Sequence, residues 1–265
     1  MWGSGDFLGG FANRATSLLS VLLISQGVGL AGMLVVAILI GGTPTGADLG
    51  YGALAGLAGL AGVAMLYRGL ASGAMSLVAP ITGVVAVVVP ILVGVGGGER
   101  PAALQYAGIV VAVIAVALLS GGGTRSARLG RGTLLLALGA GLGFGLFYVG
   151  IARTSMSADL WPLVAARGAS VAVLLAASAA TRRFPSFGAA DPLVIVGAGV
   201  FDVSANALYL LAVHGGLLSI VAVLVSLYPV STVLCSMVVL GERLRAPQVA
   251  GVGAALVAVA LITAG

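Results

Sequence analysis

A few polar side chains interrupt long apolar runs in this 265-residue sequence, and their types limit the chemistry on offer. Arg167 lies mid-way along one run, Asp202 about ten residues into the next, and Asp6 in the first. An arginine facing one or two carboxylates can form a gate or bind a substrate carboxylate; a structural Arg–Asp pair holding two segments together is the competing reading. Gln26 precedes Arg167 by 141 positions, which places a polar group at comparable depth in each half of the chain. Asn206 and Tyr209 follow Asp202 by four and seven residues, so on a helix all three share one face, suited to hydrogen-bonding a zwitterion or sugar; interhelical glue is the alternative for Asn206. Tyr67, with Arg68 beside it, occupies a comparable place in the first half, although Arg68 is near enough to an end to snorkel to the interface. His214 closes its run, where an interfacial position outweighs a proton-relay role. Ser76, Thr82, Ser226 and Ser231 offer hydroxyls, or merely bond back to their own helices. Glu99 and Glu242 each stand just before a stretch opened by Pro101 or Pro247, and both read as carboxylates that stabilise the following helix N-terminus rather than as catalytic acids.

The elements that must position these groups follow from composition. The chain is 60% apolar and 7% charged, against about 25% charged in an ordinary soluble domain, so lipid must be the solvent for most of its surface. All twelve basic residues are arginine, scattered in short clusters between apolar runs as topology signals are, and they imply no nucleic-acid partner. The single cysteine, Cys235, and the single histidine leave neither a disulfide framework nor a metal site. Without lysine there is no phosphate loop of the Walker type, which excludes ATP drive by this chain, and no cofactor is implied.

Apolar stretches fall at 2–13, 17–41, 48–71, 74–97, 101–121, 132–152, 160–181, 192–213, 216–240 and 246–265. Their length and lack of alternation predict helices, nine of them long enough to span a bilayer. The first reaches only about 18 Å of a roughly 30 Å core, so upstream residues are expected to be missing. Glycines four apart, as in Gly52 and Gly56 or Gly139 and Gly143, predict close helix packing where no hydrophobic effect drives helix onto helix.

An internal repeat organises the chain. Glu99, Arg100, Gln105 and Gly108 recur 143 positions later as Glu242, Arg243, Gln248 and Gly251; Ser76 recurs as Ser219. Gly3, Gly5, Phe7, Gly10 and Ala12 recur 140 positions later at Gly143, Gly145, Phe147, Gly150 and Ala152. The halves are therefore 1–121 and 132–265, joined by an arginine-containing linker at 122–131. Each half holds five segments, and five is odd, so the second must enter the membrane from the opposite side. The expected fold is an all-α polytopic membrane protein of ten transmembrane helices in two inverted five-helix repeats. Pro80 and Pro90 in segment four and Pro229 in segment nine interrupt equivalent helices, which are expected to hinge there and line a central site.

Trp2-Gly3-Ser4-Gly5-Asp6-Phe7, Ser76-Leu77-Val78-Ala79-Pro80-Ile81, Leu227-Tyr228-Pro229-Val230 and the repeated Gly-Glu-Arg at 98–100 and 241–243 together resemble an EamA-domain transporter of the drug/metabolite transporter superfamily. The resemblance covers nearly the whole chain and implies ten helices, two EamA repeats, and movement of small metabolites such as amino acids, nucleosides or drugs. The reading is then a secondary transporter that works by alternating access, proton-coupled or by exchange, in a bacterial cytoplasmic membrane. A channel or lipid scramblase on the same scaffold is the alternative, and an intramembrane enzyme a weaker one. Expected partners are a small-molecule substrate, the lipid bilayer and protons, for a monomer or homodimer. Counting loop arginines places both termini outside, whereas the resemblance implies cytoplasmic termini.

Overall fold

The computed structural model describes residues 1–12, 15–71, 75–120, 130–188, 191–227 and 246–264, and their regular structure is helical throughout. Among the described residues ten α-helices follow the apolar runs: α1 Trp2–Ala12, α2 Leu18–Ile40, α3 Gly46–Ala71, α4 Met75–Gly96, α5 Ala103–Ser120, α6 Arg131–Ala152, α7 Trp161–Thr181, α8 Pro192–Gly215, α9 Leu218–Ser226 and α10 Ala246–Ala264, with a short 3-10 turn at Met156–Ala158. Six of them have the length and apolar composition to cross a membrane: α2, α3 over Gly46–Leu66, α6, α7, α8 and α10. Long apolar side chains such as Leu39, Leu54, Leu193 and Leu256 stand exposed on these helices, as surfaces solvated by lipid require.

In segment four, α4 runs as one helix through Pro80 and Pro90, and the Pro90 side chain is fully buried. Pro229 and most of the ninth run lie outside the described residues.

The chain forms two compact units, each drawing on both halves of the sequence. The first comprises residues 1–57 and 153–214, the second 58–152 and 215–265. In the first, α2 packs on α7, and Ala12, Val21 and Ile195 form a small buried cluster linking α1, α2 and α8. Glycine makes the closest contact: a Cβ at Gly52 would collide with the Pro162 backbone, and one at Gly56 with the Ala166 backbone, so α3 and α7 touch main chain to main chain. Small residues thus do in lipid what bulky side chains do in an aqueous core. Ser170 exploits the proximity, its hydroxyl donating to the carbonyls of Ala166 (3.0 Å) and Gly56 (3.1 Å).

At the start of α3, Asp48 is buried to 3% exposure yet saturated with donors. It accepts from Thr45 N (2.8 Å), Thr45 Oγ1 (2.7 Å), Ser155 N (2.7 Å) and Ser155 Oγ (3.0 Å), which ties α3 to the connection between α6 and α7. Buried carboxylates are tolerated only with such complete pairing.

In the second unit, α5 packs along α10, α4 against α6, and α9 against α4 and α5. Their core joins Val87, Ile109, Ala112, Val116, Val223, Ala255, Ala258 and Ile262. Gly141 and Gly145 admit Val85 and Val89 of α4, while Gly143 lies against the backbone of Ala58 and Gly62. Glu99 acts as a cap, but not for the helix that follows it. Its carboxylate accepts from Leu218 N (2.6 Å), Ser219 N (3.0 Å) and Ser219 Oγ (2.6 Å), so it closes the start of α9, about 120 positions away. The first turn of α5 is capped instead by Gln105, whose side chain accepts from Ala102 N at 2.8 Å. The physical reason is orientation: a carboxylate serves whichever unsatisfied amides tertiary packing brings to it. Glu242 lies outside the described residues.

Candidate functional site

The first unit gathers the polar groups that interrupt its apolar helices. Pro162 stands in the first turn of α7, where a missing N–H costs nothing, and Arg167 follows about 7.5 Å further along the axis. Ala166 is pressed onto Gly56 of α3, and Arg167, on a different side of α7, is buried to 8% exposure. On α8, Asp202, Asn206 and Tyr209 share one face, as their spacing predicts; Asn206 and Tyr209 are buried and Asp202 is half-buried.

The central contact is an ion pair, Arg167 Nη2 to Asp202 Oδ2 at 2.6 Å, in which the arginine side chain is 10% exposed and the aspartate side chain 33%. Arg167 Nη1 donates to Gln26 Oε1 at 2.5 Å, so α2 contributes the third member. Asn206 Nδ2 donates to the Asp202 carbonyl at 2.7 Å and to Asp202 Oδ1 at 3.2 Å. Trp2 of α1 donates from Nε1 to the same Oδ1 at 3.1 Å, and its ring lies 6.0 Å from that of Tyr209 at 43°. Three helices, α1, α7 and α8, therefore meet on one carboxylate, and α2 joins them through Arg167. Close approach of their backbones makes this possible: Gly199 of α8 faces the Ser25 backbone of α2, and Gly5 of α1 faces Ala198 O and Asp202 N of α8.

Among the described residues the charges of Arg167 and Asp202 cancel and their polar atoms are paired, which is how an ionisable pair survives away from water. The exposed side of Asp202 leaves it able to meet a polar solute. Of the residues singled out from sequence, Arg167, Gln26, Asp202, Asn206 and Tyr209 come together. The side chains of Asp6, in α1, and Tyr67, in α3, lie outside the described residues. His214 sits apart from the cluster, half-buried, with Nε2 3.3 Å from Thr154 Oγ1. Trp2 is the member that sequence reasoning missed. Its only signal was position: an indole four residues before Asp6, on the same turn-spaced face of a short apolar helix.

A crystal structure at 16% identity superposes on 99% of this chain and 96% of its own length with a TM-score of 0.69, which shows a shared fold. No curated protein matches the sequence. The model of the EamA-like transporter family matches residues 131–264, the second half of the sequence-level repeat. With six apolar helices able to span a bilayer and that match over half its length, this integral membrane protein belongs to the EamA-like transporter family of the drug/metabolite transporter superfamily.

Proposed function

We propose that this protein is a secondary-active transporter that moves a small polar metabolite by alternating access between two inverted five-helix repeats, in a bacterial cytoplasmic membrane. The observation that carries the reading is the buried Arg167–Asp202 pair with Gln26, Asn206 and Trp2 around it, placed within apolar helices that would be cheaper without it. An ionisable group at a membrane helix centre costs at least about 2.5 kcal/mol unless it has a partner or a task. The pairing of equivalent elements supports the repeat: α2 packs on α7, α4 on α9 and α5 on α10, each helix against the one five places later. Gln26 and Arg167, displaced by 141 in sequence, touch, which is what residues near a pseudo-two-fold axis do. Asp202, the more exposed member of the pair, is the coupling group, with either a proton gradient or exchange as the driving force.

The test begins with thermal stabilisation of the purified protein against amino acids, nucleosides, sugars and cationic drugs, since a ligand of the folded state raises its apparent stability. Stabilising compounds then enter flux measurements in proteoliposomes. Saturable uptake with trans-stimulation is expected, and Asp202→Asn should abolish uphill accumulation while counterflow remains measurable. Flux that neither saturates nor responds to trans substrate would assign a channel instead, and undiminished uphill transport by Asp202→Asn would remove the coupling role.

A further inference from the structure

The two oxygens of Asp202 are held differently. Oδ2 faces the guanidinium of Arg167 at 2.6 Å, a charge-assisted contact within a pair whose arginine is nearly buried. Among the described residues the donors to Oδ1 are neutral, Trp2 Nε1 at 3.1 Å and Asn206 Nδ2 at 3.2 Å. Hydrogen bonds to a charged donor are shorter and roughly twice as strong as those from neutral donors, so an incoming cationic N–H group would win at Oδ1 and lose at Oδ2. Asn206 is anchored by its second bond, to the backbone carbonyl of Asp202 at 2.7 Å, and stays in place. The indole is the donor that can leave. Trp2 is half-buried at the first residue of the eleven-residue α1, whereas Asn206 is buried to 3% exposure within α8.

We propose that Trp2 is a specificity-determining residue of the site: its indole N–H holds Asp202 Oδ1 and is displaced from it by a primary ammonium group of the substrate, while Arg167 keeps Oδ2. This rests on the transport reading above and adds to it the chemical class of the group recognised. It gives Trp2 a competitive role, so removing its donor should tighten binding. A residue that merely braces α1 on α8 would do the opposite or nothing.

The experiment uses ethylammonium as the minimal probe and tetramethylammonium, which carries the charge but no N–H, as its control at equal ionic strength. The sequence has two tryptophans, and Trp161 bonds to the Gly41 carbonyl at 2.9 Å, outside the cluster. In the Trp161→Phe chain, Trp2 is the single tryptophan and is excited selectively at the red edge of the absorption band, where tyrosine does not absorb. Its emission should shift saturably with ethylammonium and remain unmoved by tetramethylammonium. Trp2→Phe in the natural background keeps a ring against Tyr209 and loses the N–H; its apparent affinity for ethylammonium, read by thermal stabilisation, should rise about fivefold, the equivalent of about 1 kcal/mol at 1.4 kcal/mol per factor of ten. An identical response of Trp2 to both cations, or an affinity in Trp2→Phe that is unchanged or weaker, overturns the proposal. Should Trp2→Phe fail to fold, the fluorescence arm decides alone. These readouts stand apart from flux: a protein that transports a saturating substrate while its indole ignores ethylammonium keeps the transport reading and loses this one.

Discussion

Replacing both members of the Arg167–Asp202 pair should be less damaging than replacing one. Breaking a buried ion pair by removing a single partner costs about 3–5 kcal/mol, because it strands the other charge. Asp202 is one-third exposed, so water or headgroups offset part of that loss, and the figure is discounted to about 2–3 kcal/mol for Asp202→Leu. The stranded Arg167 would retain Gln26, a neutral acceptor, and little access to solvent. Arg167→Met should cost less, about 1–2 kcal/mol, since Asp202 keeps the donors of Trp2 and Asn206 and is the better exposed partner. The double variant leaves no stranded charge and should cost no more than about 1 kcal/mol, a coupling of roughly 2–5 kcal/mol. Reversible unfolding of the full chain by sodium dodecyl sulfate in mixed micelles, followed by far-ultraviolet circular dichroism, measures all four corners of the cycle. Additivity within about 0.5 kcal/mol, or a larger cost for Arg167→Met than for Asp202→Leu, would refute the reasoning.

Two further outcomes test the packing that holds the site. Gly56→Leu should destabilise by about 1–3 kcal/mol or more in the same unfolding assay, because the added side chain meets the Ala166 backbone rather than a movable side chain; a neutral result would mean that α3 and α7 are not in main-chain contact. Glu99→Gln removes the charge that caps α9, so the amides of Leu218 and Ser219 should exchange with deuterium about five- to tenfold faster, corresponding to about 1 kcal/mol, with the amides of α5 unaffected; faster exchange in α5 instead would return Glu99 to the local role that its sequence position suggests.

The helices were legible because lipid imposes a simple rule: a backbone without water must satisfy itself locally, so long apolar runs can only be helices, and their ends fall where charge, glycine and proline interrupt them. The run at 17–41 became α2 at Leu18–Ile40, and that at 160–181 became α7 at Trp161–Thr181. Helical spacing likewise put Asp202, Asn206 and Tyr209 on one face, and the scarcity of charge drew attention to Arg167. Local periodicity does not say what lies across the face. That Gln26 meets Arg167 and that Trp2 reaches Asp202 across 200 positions are decided by how backbones approach at Gly5, Gly56 and Gly199, and that Glu99 serves α9 rather than its own neighbour is decided by tertiary packing that includes its seat against Gly94. Composition and period act over a few turns of one helix. A hydrogen bond between helices depends on distances of tenths of an ångström, which only the packed chain determines.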